Sequence, residues 1–131
     1  MKSVKRKYTP EKYPVVVIDL DNTIWTEDFP NFGEPFHNAI ETINKMNDIG
    51  YEVIIFTARG GDNLKECIYH LQNDLGLDKS IKFNEHSEYM LERYPVQSGK
   101  VNGHIFLDDK GYNAPDYSKH WNILYKEFIG D

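Results

Sequence analysis

The chain has 131 residues, a formal net charge of −6 at pH 7, 40% hydrophobic and 14% aromatic residues, and a single cysteine. That length suits one domain with a genuine core, and the acidic balance argues against broad binding to nucleic acid or anionic membranes. No apolar run approaches the roughly 20 residues of a membrane helix, no export signal follows the basic N-terminus, and Cys67 has no partner for an internal disulfide, so the expected compartment is cytoplasmic.

Residues 1–13 read as a basic arm, with Lys2, Lys5, Arg6, Lys7 and Lys12, that is solvated and partly disordered. Val15, Val16, Val17 and Ile18, all branched, then predict a strand buried on both faces, after which polarity switches to Asp19 and Asp21. In an open parallel sheet ligands bind beyond the carboxyl ends of the strands, which puts both carboxylates where chemistry is expected; a plain Asx turn is the alternative. Residues 24–35 are irregular and read as a loop. Ala39, Ile40, Ile43, Met46 and Ile49 give a helical stripe over 36–49, with Gly50 as a left-handed stop. Glu52 to Phe56 form a second strand that ends in Thr57, Ala58, Arg59 and two glycines. Asp62 or Asn63 can cap the next helix, which carries Leu64, Cys67, Ile68, Leu71 and Leu75 and stops at Gly76. A short third strand follows over 80–83, while 84–102 is ambiguous, with a short helix over 86–94 as one reading. The fourth strand, 104–107, runs directly into Asp108 and Asp109, and a helix over 117–128 shows Trp121, Leu124, Tyr125 and Phe128 on one face. Such alternation predicts an α/β sandwich with a mainly parallel sheet and right-handed crossovers.

A parallel sheet would bring Asp19, Asp21, Thr57, Asp108 and Asp109 to one edge. Carboxylates about 4 Å apart repel by about 4 kcal/mol at an effective dielectric of 20, and a divalent cation relieves that repulsion. Hard oxygen ligands suit Mg²⁺, which keeps several waters and takes few protein oxygens. His37, His70, His86, His104 and His120 show no zinc-binding spacing.

The run Asp19-Leu20-Asp21-Asn22-Thr23, then Thr57 within Phe56-Thr57-Ala58-Arg59, then Lys100, then Ile105-Phe106-Leu107-Asp108-Asp109, resembles the four-motif signature of the haloacid dehalogenase-like (HAD) phosphohydrolase superfamily, over residues 15–116. The first run, continued through Ile24 and Trp25, is also similar to magnesium-dependent phosphatases, and Phe56-Thr57-Ala58-Arg59 resembles polynucleotide end phosphatases. The resemblance implies a Rossmann-like three-layer sandwich without a large cap domain and a Mg²⁺-dependent phosphomonoesterase. Asp19 would be the nucleophile that forms an aspartyl-phosphate, and Asp21 the general acid and base, with its pKa raised by the neighbouring carboxylates. Thr57, Ala58, Arg59 and Lys100 would hold the phosphoryl group. Mg²⁺ would sit between Asp19, the Asp21 carbonyl and Asp109, with Asp108 orienting its waters. Lys82 competes with Lys100 for the lysine role; Lys100 is preferred because it closely precedes the last acidic strand end.

Too few residues lie between Thr23 and Ala39, or between Thr57 and Lys100, for a folded lid. Trp25, Phe29, Phe32 and Phe36 form either a flap beside the site or a plug against the first helix. Arg59 and Lys110 are candidate contacts for an anionic substrate, with simple surface charge as the alternative. The substrate expected is a phosphorylated small molecule or macromolecular end, nucleic acid included. Two rival readings are a catalytically silent HAD-like scaffold and a receiver-type signalling domain; the order of acidic motifs argues against the second.

Overall fold

A computed structural model describes residues 6–94 and 101–130 of the chain. Lys100, the preferred site lysine, lies outside them. The elements are β1 (Val15–Asp19), α1 (Ala39–Asp48), β2 (Glu52–Phe56), α2 (Gly61–Tyr69), β3 (Lys82–Phe83), α3 (Glu88–Arg93), β4 (Ile105–Leu107) and α4 (Trp121–Phe128). α2 runs on into a π-helical segment, His70–Asp74. All strand pairs are parallel and the strand order is β3-β2-β1-β4. β1 is therefore flanked on both sides, which is why its apolar residues run without alternation.

The register assigns the two faces of the sheet. Val16, Ile18, Val53 and Ile55 belong to a large core with α1, α2 and α4, including Ile43, Met46, Cys67, Leu71, Trp121, Leu124 and Phe128. Val15, Val17 and Ile54 face the other way, where among the described residues they form a smaller core with Met90 of α3 and Val101. The result is the Rossmann-like three-layer sandwich expected, built thick on one side and thin on the other. The chain lays down β1, β2 and β3 in one direction across the sheet and then crosses back to place β4 on the other side of β1, so the carboxyl end of β1 lies at the topological switch point.

Several local expectations shift. α1 begins at Ala39 because Asn38 takes a left-handed conformation, φ 64°. Neither Asp62 nor Asn63 caps α2; Gly60 occupies that position and the side chain of Asn63 is used elsewhere. The ambiguous stretch does contain a short helix, α3, capped by Ser87, whose hydroxyl accepts from Met90 N at 3.3 Å. The N-terminal arm is not a solvated tail from residue 6 onward. The backbone N–H groups of Lys7 and Tyr8 donate to the Glu127 carbonyl at 3.0 and 2.9 Å, and the Tyr8 ring packs 4.7 Å from that of Phe128. Charge pattern alone missed this because the anchoring groups are backbone amides and two tyrosines among the lysines. Among the described residues no helix is long and apolar enough to cross a membrane.

Candidate active site

Strand ends supply the site. Asp19 closes β1, half-buried, and its Oδ1 accepts from Leu20 N at 2.9 Å. Burial, together with the carboxylates of Asp109 and Asp21, pushes its pKa up to about 6. Asp109, beyond β4, is tied across the sheet edge by Asn22, whose Nδ2 donates to Asp109 Oδ2 at 3.1 Å. Asn22 reaches it from a left-handed turn, φ 62°, a conformation that Asn tolerates better than most residues. Among the described residues the other oxygen of Asp109, Oδ1, is buried without a hydrogen-bond partner. A buried carboxylate oxygen in that condition is costly unless something positive meets it.

Thr57 follows β2 and is buried; its hydroxyl accepts from Arg59 N at 3.1 Å, which leaves the O–H to donate. Asn84, unremarked in the sequence, fixes the Thr57 peptide from both sides: Thr57 N donates to Asn84 Oδ1 at 2.8 Å and Asn84 Nδ2 donates to Thr57 O at 3.0 Å. Its place directly after the third strand was the available signal, since that is the next strand end along the edge.

Two expectations about the acidic pair and its neighbours are corrected. Arg59 is not a free substrate contact: it is 3% exposed and its guanidinium is fully engaged. Nε and Nη2 donate to the two oxygens of Asp21 at 3.0 and 2.8 Å, and further bonds reach the carbonyls of Pro30 and Asn31, Asn63 Oδ1 and Cys67 Sγ. Asp21 also accepts from Trp25 Nε1 at 2.9 Å. Partial burial alone would raise the pKa of Asp21, but the bonds from Arg59 and Trp25 outweigh it and hold the carboxyl below its ordinary value, so the expected upward shift falls on Asp19 instead. Paired carboxylates had suggested mutual repulsion; a buried bidentate arginine on one of them reverses the sign.

The aromatic loop is both flap and plug. Trp25 is fully buried and Phe36 packs against the large core, whereas Phe29 is exposed at the site cavity and Phe32 stacks on His70 with ring centroids 4.3 Å apart. Gly33 permits the fold-back, since a Cβ there would lie 2.0 Å from Thr26 O and 2.7 Å from the Trp25 ring. Asp108 shapes the loop after β4: its Oδ1 accepts from the backbone N–H of Lys110 and Gly111 at 3.0 and 3.2 Å. Lys82 lies level with Ile54, two positions before the end of β2, and pairs with Glu52 at 3.5 Å, at the far end of that strand from the carboxylates. Lys110 lines the site cavity.

That cavity, about 350 Å³, is bounded by Asp19, Asp21, Thr57, Ala58, Arg59 and Asp109, with Glu27 and Phe29 at its rim. Among the described residues no three His, Cys, Asp or Glu side chains converge into a metal cage. The pair Asp19 and Asp109, one oxygen of it unpartnered, still fits a hard cation that keeps most of its water.

Fold and site together define a Rossmann-like α/β protein with a carboxylate pair, a threonine turn and a cavity at the switch point of its sheet. No family model and no curated protein matches the chain. It is similar to the solved structure of a conserved protein coded by a locus of Bacteroides thetaiotaomicron, at 26% identity over 86% of each chain with a TM-score of 0.69.

Proposed function

We propose that the chain is a capless HAD-like phosphomonoesterase, dependent on Mg²⁺, that works through a phosphorylated Asp19. The observation that carries this reading is the convergence of Asp19, Asp109 and Thr57, distant in sequence, on one cavity where a carboxylate oxygen lies buried without a partner among the described residues. Asp19 and Asp109 would hold the metal, with the Asp21 carbonyl as a third oxygen. Bound there, Mg²⁺ would neutralise charge on the carboxylates and on the phosphoryl oxygens. Asp19 would attack phosphorus through the carboxylate oxygen that does not accept from Leu20 as the bond to the ester oxygen breaks and that oxygen leaves as the alcohol with a proton from Asp21 or solvent. The Thr57 hydroxyl would donate to a phosphoryl oxygen, and water would then cleave the aspartyl-phosphate to give inorganic phosphate and free Asp19. Proton transfer through Asp21 becomes conditional on release of Arg59. A cytoplasmic setting and a phosphorylated substrate, small or macromolecular, belong to the same reading.

A HAD-like binding protein without turnover is the second reading, favoured by one observation: both oxygens of Asp21 are occupied, which suits an anchor better than an acid. Hydrolysis of 4-nitrophenyl phosphate with Mg²⁺ and with EDTA separates the two. The enzyme reading expects metal-dependent turnover that Asp19→Asn abolishes, and a phosphoryl adduct on the wild-type protein by intact mass after incubation with acetyl phosphate. Ligand binding with neither turnover nor adduct supports the second.

A further inference from the structure

We infer that the substrate of this site carries a flat aromatic ring, received in a second cavity on the thin face of the sheet. The inference rests on the reading of Asp19 as the residue that meets the phosphoryl group. This cavity, about 400 Å³, shares Asp19, Ala58 and Lys110 with the one described above, so the two adjoin at the reactive carboxylate. Their chemistry is opposite. Around the first stand carboxylates, a threonine and an arginine; the second is walled by Val17, Phe56, Val101 and Phe106.

Register explains the shape. Asp19 pairs with Phe56 on β2 and Val17 pairs with Phe106 on β4, so the two phenylalanines share a face and stand on either side of β1. Adjacent strands are ~4.8 Å apart and the two phenylalanines are offset by two residues along β1, so the rings stand diagonally across that strand with room for an aromatic ring between them. Gly103 lies against β1 on this face, since a Cβ there would stand 2.7 Å from the Val17 side chain. Phe56 and Phe106 are left 36% and 47% exposed. Two half-exposed phenylalanines beside a reactive carboxylate leave apolar area uncovered, and a ring carried by the substrate would cover it in offset-stacked or edge-to-face contact. Among the described residues of the lining, Asp19, Asp108 and Lys110 bring charge and the rest are apolar, a surface suited to a ring.

The test compares benzylphosphonate with methylphosphonate by isothermal titration calorimetry in the presence of Mg²⁺, and benzyl phosphate with methyl phosphate by release of inorganic phosphate. Both esters have alkyl leaving groups, so a difference reports the ring and not leaving-group acidity. The expected preference for the benzyl compound is about tenfold, and Phe106→Ala and Phe56→Leu each remove most of it. Ile123→Ala, exposed on α4, leaves the ratio unchanged. Circular dichroism establishes that each variant is folded, and Phe56→Leu keeps apolar bulk if the alanine variant is not. Equal binding of the two phosphonates, or a preference indifferent to both substitutions, overturns the inference. A ring preference in binding with no turnover of either ester upholds the aromatic slot and overturns the phosphatase reading; equal turnover of both esters does the reverse.

Discussion

The two faces of the sheet are built from the same strands and do different work. On one, helices α1, α2 and α4 cover Val16, Ile18, Val53 and Ile55, and Trp121 is locked in place by donating from Nε1 to Thr23 O at 2.9 Å. On the other, α3 and Val101 cover Val15, Val17 and Ile54, leaving Phe56 and Phe106 half exposed. The thick face holds the strand ends rigidly; the thin face leaves room beside them. Both are needed for a site at the end of β1, because reactive carboxylates must be held still while something is admitted next to them.

Substitutions can break or sharpen that contrast. The largest effect is expected at Trp121→Ala on the thick face, a loss of about 3–5 kcal/mol in urea denaturation, since it opens a large void and strands the Thr23 carbonyl. Arg59→Ala follows at about 2–3 kcal/mol, less than a fully buried pair because Asp21 remains partly solvated. Limited proteolysis of that variant should cut within residues 26–35, whose Pro30 and Asn31 carbonyls Arg59 holds. A smaller change should accompany pH. The pKa of Asp19 is raised from 3.8 to about 6, so folding is favoured fully below the ordinary value and loses that favour as pH rises through 6. Asp21, shifted the other way, keeps its ion pair until pH falls below the ordinary range. Lowering pH from about 7.5 to about 5 without metal should therefore stabilise the wild type by about 1 kcal/mol relative to Asp19→Asn, the figure discounted for solvent around a half-buried carboxyl. Parallel melting curves across that range check it, and equal slopes for the two proteins would count against a burdened Asp19. Smallest is Phe106→Ala on the thin face, at ~0.5 kcal/mol or less, because the ring is half exposed. A loss at Phe106 comparable to that at Trp121 would erase the distinction between the faces.

Residues 7–13 add a qualification to the thick face. Tyr8 and the backbone at Lys7 join α4, and Tyr51, whose hydroxyl donates to Phe128 O at 3.0 Å, has its pKa pushed up to about 12 by burial in the same corner. Removing residues 2–12, which a purely solvated arm would tolerate, is now expected to lower the melting temperature.

The amino-acid sequence by itself determined the order of strands and helices, the bounds of β2, and the placing of Asp19, Thr57 and Asp109 at strand ends. Each of these follows from a pattern within a few residues: branched apolar runs, helical stripes, a sudden change of polarity. Tertiary structure alone decided that Arg59 belongs to Asp21, that Asn84 grips Thr57, that Asn22 reaches Asp109, and that the aromatic loop divides into a buried Trp25 and an exposed Phe29. Those contacts join residues tens of positions apart, and no local periodicity encodes which charge is neutralised or which side of a sheet a helix leaves bare.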